Sequence, residues 1–349
     1  CILGRCYSGG VLRHDAAYGA TLEDVPNPYR GMVVTYSGCG PVRSISHMID
    51  FAAPSSYGTY YNGFLYTATQ LGTTPQTTAL TPNFSGMPNW GSSYKLSGEC
   101  AALWNFKFDK EGKVFASGLP LFGAIVEGVR CYDPRKDSTF PGGSGSHRLN
   151  NPATWEYTDN PALHAATYAY GRYQNGKLVF GIGMPSTAIV WSDVAAWANV
   201  CQANGWIIGG IIYEPGDRWA NLKEICLVGG GEPVFANGML AFFWSAPKTA
   251  LATITDEDIV GSESSAIVMQ PWRERINSAI PQYRSEAHNW EIVSAETVSV
   301  STYVAEDGEQ KVETWPFNLC TQADQAAELA TYRVVNGREM VINLVVGPQ

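Results

Sequence analysis

The residues able to do chemistry in this sequence are eight cysteines, five histidines and a scatter of carboxylates set among aromatic side chains. The cysteines stand at positions 1, 6, 39, 100, 131, 201, 226 and 320. No two form a Cys-x-x-Cys pair, and no Cys/His spacing fits zinc. Such a spread reads as buried free thiols of a reducing compartment. Cys1, Cys6 and Cys39 form one loose cluster. A metal or iron–sulfur role for them is the single cofactor reading left open, and the missing ligand motif argues against it. The histidines (14, 47, 147, 164 and 288) include no His-x-x-x-His or His-Glu-x-x-His pair. His164 falls within a predicted helix and reads as a helix-face residue, and His147 lies in a polar loop. Glu156, Glu214 and Glu224 lie among aromatic or apolar neighbours. That setting would suit a glycosidase, in which two carboxylates face each other across a cleft and an apolar pocket raises the pKa of one. Glu214 precedes Pro215-Gly216-Asp217, however, and is more simply a turn residue.

The glycine-rich segments carry no catalytic or phosphate-binding signature. Pro141-Gly142-Gly143-Ser144-Gly145-Ser146 lacks the spacing and the leading strand of a nucleophile elbow. Gly229-Gly230-Gly231 follows a predicted helix instead of opening one, and no Lys-Ser/Thr pair accompanies it. Asp256-Glu257-Asp258 is helix-start charge after a capping Thr255, without the central glycine of a calcium loop.

The elements that would position these residues follow from composition and pattern. A chain of 349 residues is too long for one small core. With 45% apolar and 16% charged residues it is globular in character. Eighteen tyrosines, eleven tryptophans and thirty-six glycines suit aromatic strands joined by tight turns. A net charge of -9 with no basic run argues against stable nucleic-acid binding. No stretch of about 18 uninterrupted apolar residues marks a membrane span. The chain begins at Cys1 and not at Met, so a longer N-terminal segment is expected.

Strands are predicted at 31–36, 95–108 and 121–129, with a hairpin turn at 109–113. Residues 53–98 read as a long surface excursion with short strands such as 60–69, and residues 137–154 as a linker. Asn160-Pro161 caps a helix over 162–173. Ser192-Asp193 caps a second helix running to Asn204, and a third covers 219–228. A strand is expected at 206–213, and a hairpin turns at Asn237-Gly238. Further strands are expected at 265–270, 298–305 and 339–346, with a helix at 322–332. A strand at 277–283 would be confined to a sheet edge by Pro281. Three units follow: a β-rich segment 1–145 carrying the excursion, an α+β segment 146–248, and a second β-rich segment 249–349.

The order of short motifs is more telling than any single site. Phe115-Ala116-Ser117-Gly118-Leu119-Pro120 leads to Val126-Glu127-Gly128 and then to Cys131-Tyr132-Asp133-Pro134-Arg135. Thr158-Asp159-Asn160-Pro161-Ala162-Leu163 comes next. Later come Trp219-Ala220-Asn221-Leu222, Arg275-Ile276-Asn277, Glu306-Asp307-Gly308 and Trp315-Pro316-Phe317. In this order the segments resemble the tail-tip attachment or baseplate-hub proteins of long-tailed phages and gene transfer agents, over about residues 100 to 345.

The resemblance implies a mainly β fold, with β-barrel-like hub domains flanking a helix-containing α+β domain. It implies a non-enzymatic homotrimer at the virion tail tip, assembled in the host cytoplasm. Its partners would be distal tail and tail-tube proteins, a tape measure protein, and tail fibre or receptor-binding parts. The ring would adapt the sixfold tube to the threefold tip and form part of the DNA-ejection channel. The residues that carry the likeness, Gly118, Pro120, Gly128, Tyr132, Asp133, Pro134, Arg135, Asp159, Asn160, Pro161, Asn277, Asp307, Gly308, Pro316 and Phe317, would be architectural, not catalytic. The excursion at 53–98 departs from the family pattern, and the family's C-terminal receptor-binding portion has no counterpart in this sequence. A tail-associated cell-wall glycosidase and a carbohydrate-binding module are the competing readings.

Overall fold

The computed structural model describes residues 1–53, 61–213, 216–246, 253–255, 258–260, 265–267, 271–339 and 341–343. The readings at Glu214 and at Asp256-Glu257 lie outside them. Seven strands come first: Ile2–Ser8 (β1), Val11–Tyr18 (β2), Tyr29–Ser37 (β3), Val42–Ile49 (β4), Leu65–Leu71 (β5), Cys100–Lys107 (β6) and Phe122–Cys131 (β7). They divide between two sheets. β2-β3-β6-β5 forms one; β1, β7 and β4 lie in the other.

Strands β3 and β6 are buried on both faces, because alternate residues serve two cores. Met32, Val34, Tyr36, Trp104 and Phe106 face the main core with Ile2, Cys6, Ala124 and Val126. Val33, Ala101 and Leu103 face the other way, into a second core closed by Leu80 and Met87. The excursion is therefore not merely a surface decoration: its apolar residues form the lid of that second core. Asn105, on this lid-facing side of β6, holds it in place. Its carboxamide oxygen accepts from the Phe84 amide at 3.0 Å, and its nitrogen donates to the Tyr18 hydroxyl at 3.0 Å and the Arg30 carbonyl at 3.2 Å. The turn expected at 109–113 forms, but β6 and β7 pair with different neighbours. The connection crosses between sheets and is not a hairpin.

The middle of the chain contains Glu156–Tyr157 (β8), Pro161–Tyr170 (α1), the pair Arg172–Gln174 (β9) and Lys177–Phe180 (β10), Trp191–Asn204 (α2), Gly209–Ile211 (β11), Arg218–Val228 (α3) and the hairpin Gly231–Ala236 (β12) with Met239–Trp244 (β13). β11 pairs with β1 and β8 with β7, so this segment extends the first sheet. The hairpin turns where expected, with Asn237 and Gly238 at φ 53° and 76°. The second helix begins at Trp191, placing Ser192 and Asp193 inside its first turn; Val190 occupies the cap without a side-chain bond.

The strand expected at 206–213 shrinks to three residues because a buried glutamine takes the neighbouring strand's place. Gln325 accepts from the Ile207 amide at 3.1 Å and donates to its carbonyl at 3.0 Å. The expected linker at 137–154 is instead a packed block, in which Asp137 accepts from the Tyr132 hydroxyl at 2.9 Å and from Arg148 at 2.9 Å.

The last segment holds Ser265–Ile267 (β14), Ser278–Ser285 (β15), Glu291–Ser294 (β16), Val298–Ser299 (β17), Ser301–Asp307 (α4), Val312–Pro316 (β18), Ala323–Asn336 (α5) and Val341–Asn343 (β19). Pro281 does not confine β15 to an edge. β17 pairs with Ser278 and Ala279, and β16 with residues from Gln282 onward, so the proline's missing N–H falls in the gap between them. β18 lies parallel along the other side of β15. The β-branched residues at 298–304 read as a strand, but helix α4 begins at Ser301 and ends on Gly308 at φ 73°.

Mainly β with α+β character holds. The barrel-like expectation does not: the sheets remain open among the described residues, and no strand pairing joins β2 to β5 or β11 to β4. Asn105→Ala is expected to cost about 1–3 kcal/mol, because the Phe84 amide loses its acceptor inside the fold. Urea denaturation measures the loss, and hydrogen exchange should show residues 80–96 losing protection first.

Candidate functional site

The end of β7 and the start of α1 meet around one cavity. β7 finishes at Cys131, and Asp133 then caps a single 3-10 turn, Pro134–Lys136, accepting from the Arg135 amide at 3.0 Å. Arg135 folds back on the same carboxylate at 2.9 and 2.8 Å, and its remaining nitrogen reaches Asn199 and Gln202 on α2 at 2.9 and 3.0 Å. This fork ties the strand exit to the second helix. Asn160 caps α1 by accepting from the Ala162 amide at 3.1 Å, and its nitrogen donates to the Ala198 carbonyl at 2.9 Å. Pro161 sits at the first helical position, as expected. The Asp159 carbonyl accepts from Ile208 at 2.8 Å.

The cavity enclosed here has a volume of about 360 Å³, and Asp133, Arg135, Asp159 and Asn160 all line it. Two of the motifs, separated by more than twenty residues in sequence, thus converge on one place. Gly118 and Pro120 do not join them. They precede β7, whose ten residues span about 30 Å. Gly128 answers a packing demand, since a Cβ there would lie 2.2 Å from the Ile2 carbonyl oxygen.

Asn277, Asp307, Gly308, Pro316 and Phe317 build a separate cluster. Asn277 donates to Asp307 at 2.9 Å and accepts from the Lys311 amide at 2.8 Å. Arg338 bonds the same carboxylate, and Arg275 approaches it at 3.5 Å. Burial alone would raise the Asp307 carboxyl. Hydrogen bonds from Arg338, Asn277 and Arg275 outweigh burial and hold it below the usual carboxylate range. Pro316 ends β18 opposite Gln282, and Phe317 is buried with its amide on the Gln282 carbonyl at 2.8 Å.

Of the carboxylates suited to glycosidase chemistry, Glu156 is exposed and bonded to Lys136 at 2.6 Å, which lowers its pKa. A general acid requires the opposite shift. Glu224 accepts from Asn318 at 2.9 Å. Cys6 lies in the core, where burial pushes its thiol up to about 12; Cys39 is buried after β3, and Cys1 is half-buried. All eight cysteines are free. No three described His, Cys, Asp or Glu residues are grouped to hold a metal ion.

His164 lies on α1 as expected, on a face turned fully into the molecule. Its Nδ1 lies 3.4 Å from the Cys131 sulfur, and its Nε2 lies 2.8 Å from the Thr158 carbonyl. The sequence trace of this arrangement is slight: His164 and Thr167, three apart, share one face of α1.

No protein-family model and no curated protein matches the sequence. Among solved structures, the chain is similar in fold to a chain in the virion of a native gene transfer agent particle. The TM-score is 0.55 at 14% identity, over 97% of this chain and 72% of that one.

Two substitutions probe this architecture. Asn160→Asp keeps the helix cap but loses the donor to Ala198, and is expected to lower stability by about 1–2 kcal/mol in thermal unfolding, although the two residues cap equally well. Asp307→Asn removes the buried anion that Arg338 bonds and Arg275 approaches, at a cost on the order of 3 kcal/mol at neutral pH. The folded pKa of Asp307 is depressed, so its contribution is complete above the unfolded value of about 3.9 and fades as pH falls through the folded one. The difference between wild type and variant should therefore narrow below about pH 4 in denaturation curves.

Proposed function

We propose that this chain is a structural subunit of a phage or gene transfer agent virion, and within it a trimeric hub at the distal end of the tail. The observation that carries the proposal is the likeness of fold to a virion chain along 97% of the sequence. The motif order supports the finer reading, since those residues sit at strand exits, helix caps and close packing contacts. A hub would link the tail tube to the tip or fibre, contact the tape measure protein, and line part of the channel through which DNA leaves.

Surface chemistry is in keeping with burial between subunits. Phe235 and Phe243 on the β12–β13 hairpin are more than half exposed, and Trp219 stacks on Phe235 with ring centroids 5.1 Å apart. Interfaces of this kind are rich in aromatic residues and poor in lysine. The net charge of -9 would let a phosphate backbone pass without adhering. Lys136 holds Glu156 below the usual carboxylate range, the reverse of what a general acid of a glycosidase needs.

Electron cryomicroscopy of particles carrying an epitope on this chain tests the proposal. Label is expected at the distal tail end in three copies. Label on the capsid, or its absence from the particle, overturns it.

A further inference from the structure

Cys131 has surroundings unlike those of any other cysteine in the chain. It ends β7 on the wall of the 360 Å³ cavity, and His164, Thr167 and Arg172, from two elements, surround its sulfur. From α1 comes His164, with Nδ1 at 3.4 Å. Its other nitrogen is 2.8 Å from the Thr158 carbonyl and 3.3 Å from the Gly4 amide. The shorter contact assigns the proton to Nε2, which leaves Nδ1 free to take the thiol proton. Also from α1 comes the Thr167 hydroxyl, buried and without a hydrogen-bond partner, which acts to lower the thiol's pKa.

From β9 comes Arg172. Its guanidinium is buried, stacks near Trp155 at 5.9 Å, and donates to the carbonyls of Arg130 and Cys39. No described carboxylate pairs with it. A guanidinium does not give up its charge, so an anion beside it is strongly favoured.

The other charged groups on the cavity walls offset one another. Asp133 holds Arg135, and Glu156 holds Lys136 and lies 3.7 Å from Nε2 of the buried His147; Asp159 remains.

We propose that Cys131 is a reactive thiolate and a modification site for a small peroxide entering this cavity. Its sulfur attacks one peroxide oxygen; an S–O bond forms and the O–O bond breaks. The departing hydroxide takes the proton held by His164 and leaves as water. The sulfur is oxidised by two electrons to sulfenic acid and the peroxide is reduced by two. His164 is the positioning and proton-holding residue, and Arg172 the fixed counter-charge.

Cys201 supplies a control within the same molecule. It borders the same cavity and is equally buried, but burial pushes its thiol up to about 12, with Arg135 too weak an offset. At Cys131 burial acts in the same direction, yet His164 and Arg172 outweigh it and lower the thiol. Cys6, Cys100 and Cys320 are likewise raised to about 12.

The test uses the folded 349-residue chain treated with hydrogen peroxide between pH 5 and 9 in the presence of dimedone, which traps sulfenic acid, with peptide mapping by mass spectrometry. An ordinary thiol of pKa about 8.5 is roughly 0.3% ionised at pH 6. Lower intrinsic nucleophilicity takes back part of a thiolate's advantage. The Cys131 peptide is therefore expected to be trapped at least about tenfold faster than the Cys201 peptide at pH 6. His164→Asn should move the profile to higher pH, and Cys131→Ser should remove the adduct. Equal rates at Cys131 and Cys201 in the wild-type protein, which needs no variant to fold, overturn the proposal. So does a folded His164→Asn variant with an unchanged pH profile.

Discussion

Strand β1 changes partners within seven residues, and the room for that change is set by glycine. Ile2 to Gly4 pair with β11, and Arg5 to Ser8 pair with β7. At the crossover a Cβ on Gly4 would lie 1.7 Å from the Ile208 carbonyl oxygen, and Gly4 also adopts φ +54°. Any side chain there would drive the middle segment away from the first sheet. Because β11 is held by β1 on one side and by Leu319 through the Gly209 amide, this passage joins all three stretches of the sequence. The continuous apolar core, running from Ile2 through Trp197 to Val334, follows from it. Strands of the first two stretches therefore lie in one sheet, and side chains of all three meet in one core.

Much of the fold was legible because local signals and global demands agree. Asn160-Pro161, Asn237-Gly238 and the glycines after α3 act within a few residues of themselves, and each appears where the sequence puts it. The failures share a cause: long-range contacts decided them. Nothing near residue 207 announces that Gln325, over a hundred residues later, will satisfy its backbone. The valines at 298–304 have the alternation of a strand, yet α4 forms where β15 already has neighbours along both sides. Pro281 reads as an edge residue until the gap between β16 and β17 is known. The cavity was half legible: the motifs at 131–135 and 158–161 stood out as ordered landmarks, but their convergence, and the placing of Arg172 beside Cys131, required the fold.

Buried polar side chains, more than apolar ones, determine how these pieces fit. Asn105 fixes the excursion on its sheet, Gln325 seats α5 against residues 207 and 228, and Asp307 ties α4 to residue 277 and to Arg338 after α5. Each satisfies several backbone or side-chain groups at once, so a slipped register would strand donors in the interior. Apolar packing tolerates small shifts of that kind far better. A subunit that must present fixed surfaces to neighbours gains from such specification even where the net stabilisation is modest.

The chain sets guanidinium groups against its interior in two contrasting ways, and the contrast bears on why one cysteine differs from the rest. Arg275 and Arg338 enter the last segment together with Asp307, whose carboxylate is fully enclosed between them. Arg172 enters the first sheet's margin with carbonyl oxygens and an aromatic ring, which ease but do not balance its charge. Two thiols lie near it, Cys131 and Cys39, and at Cys131 His164 is placed to take the proton. Replacing that thiol by a carboxylate would demand space beside α1, where Ala162, Ala165 and Ala166 pack with no exposed surface. Tight packing at the strand-to-helix junction and a buried, unpaired arginine thus act together, and the ionisable sulfur is where the two constraints meet.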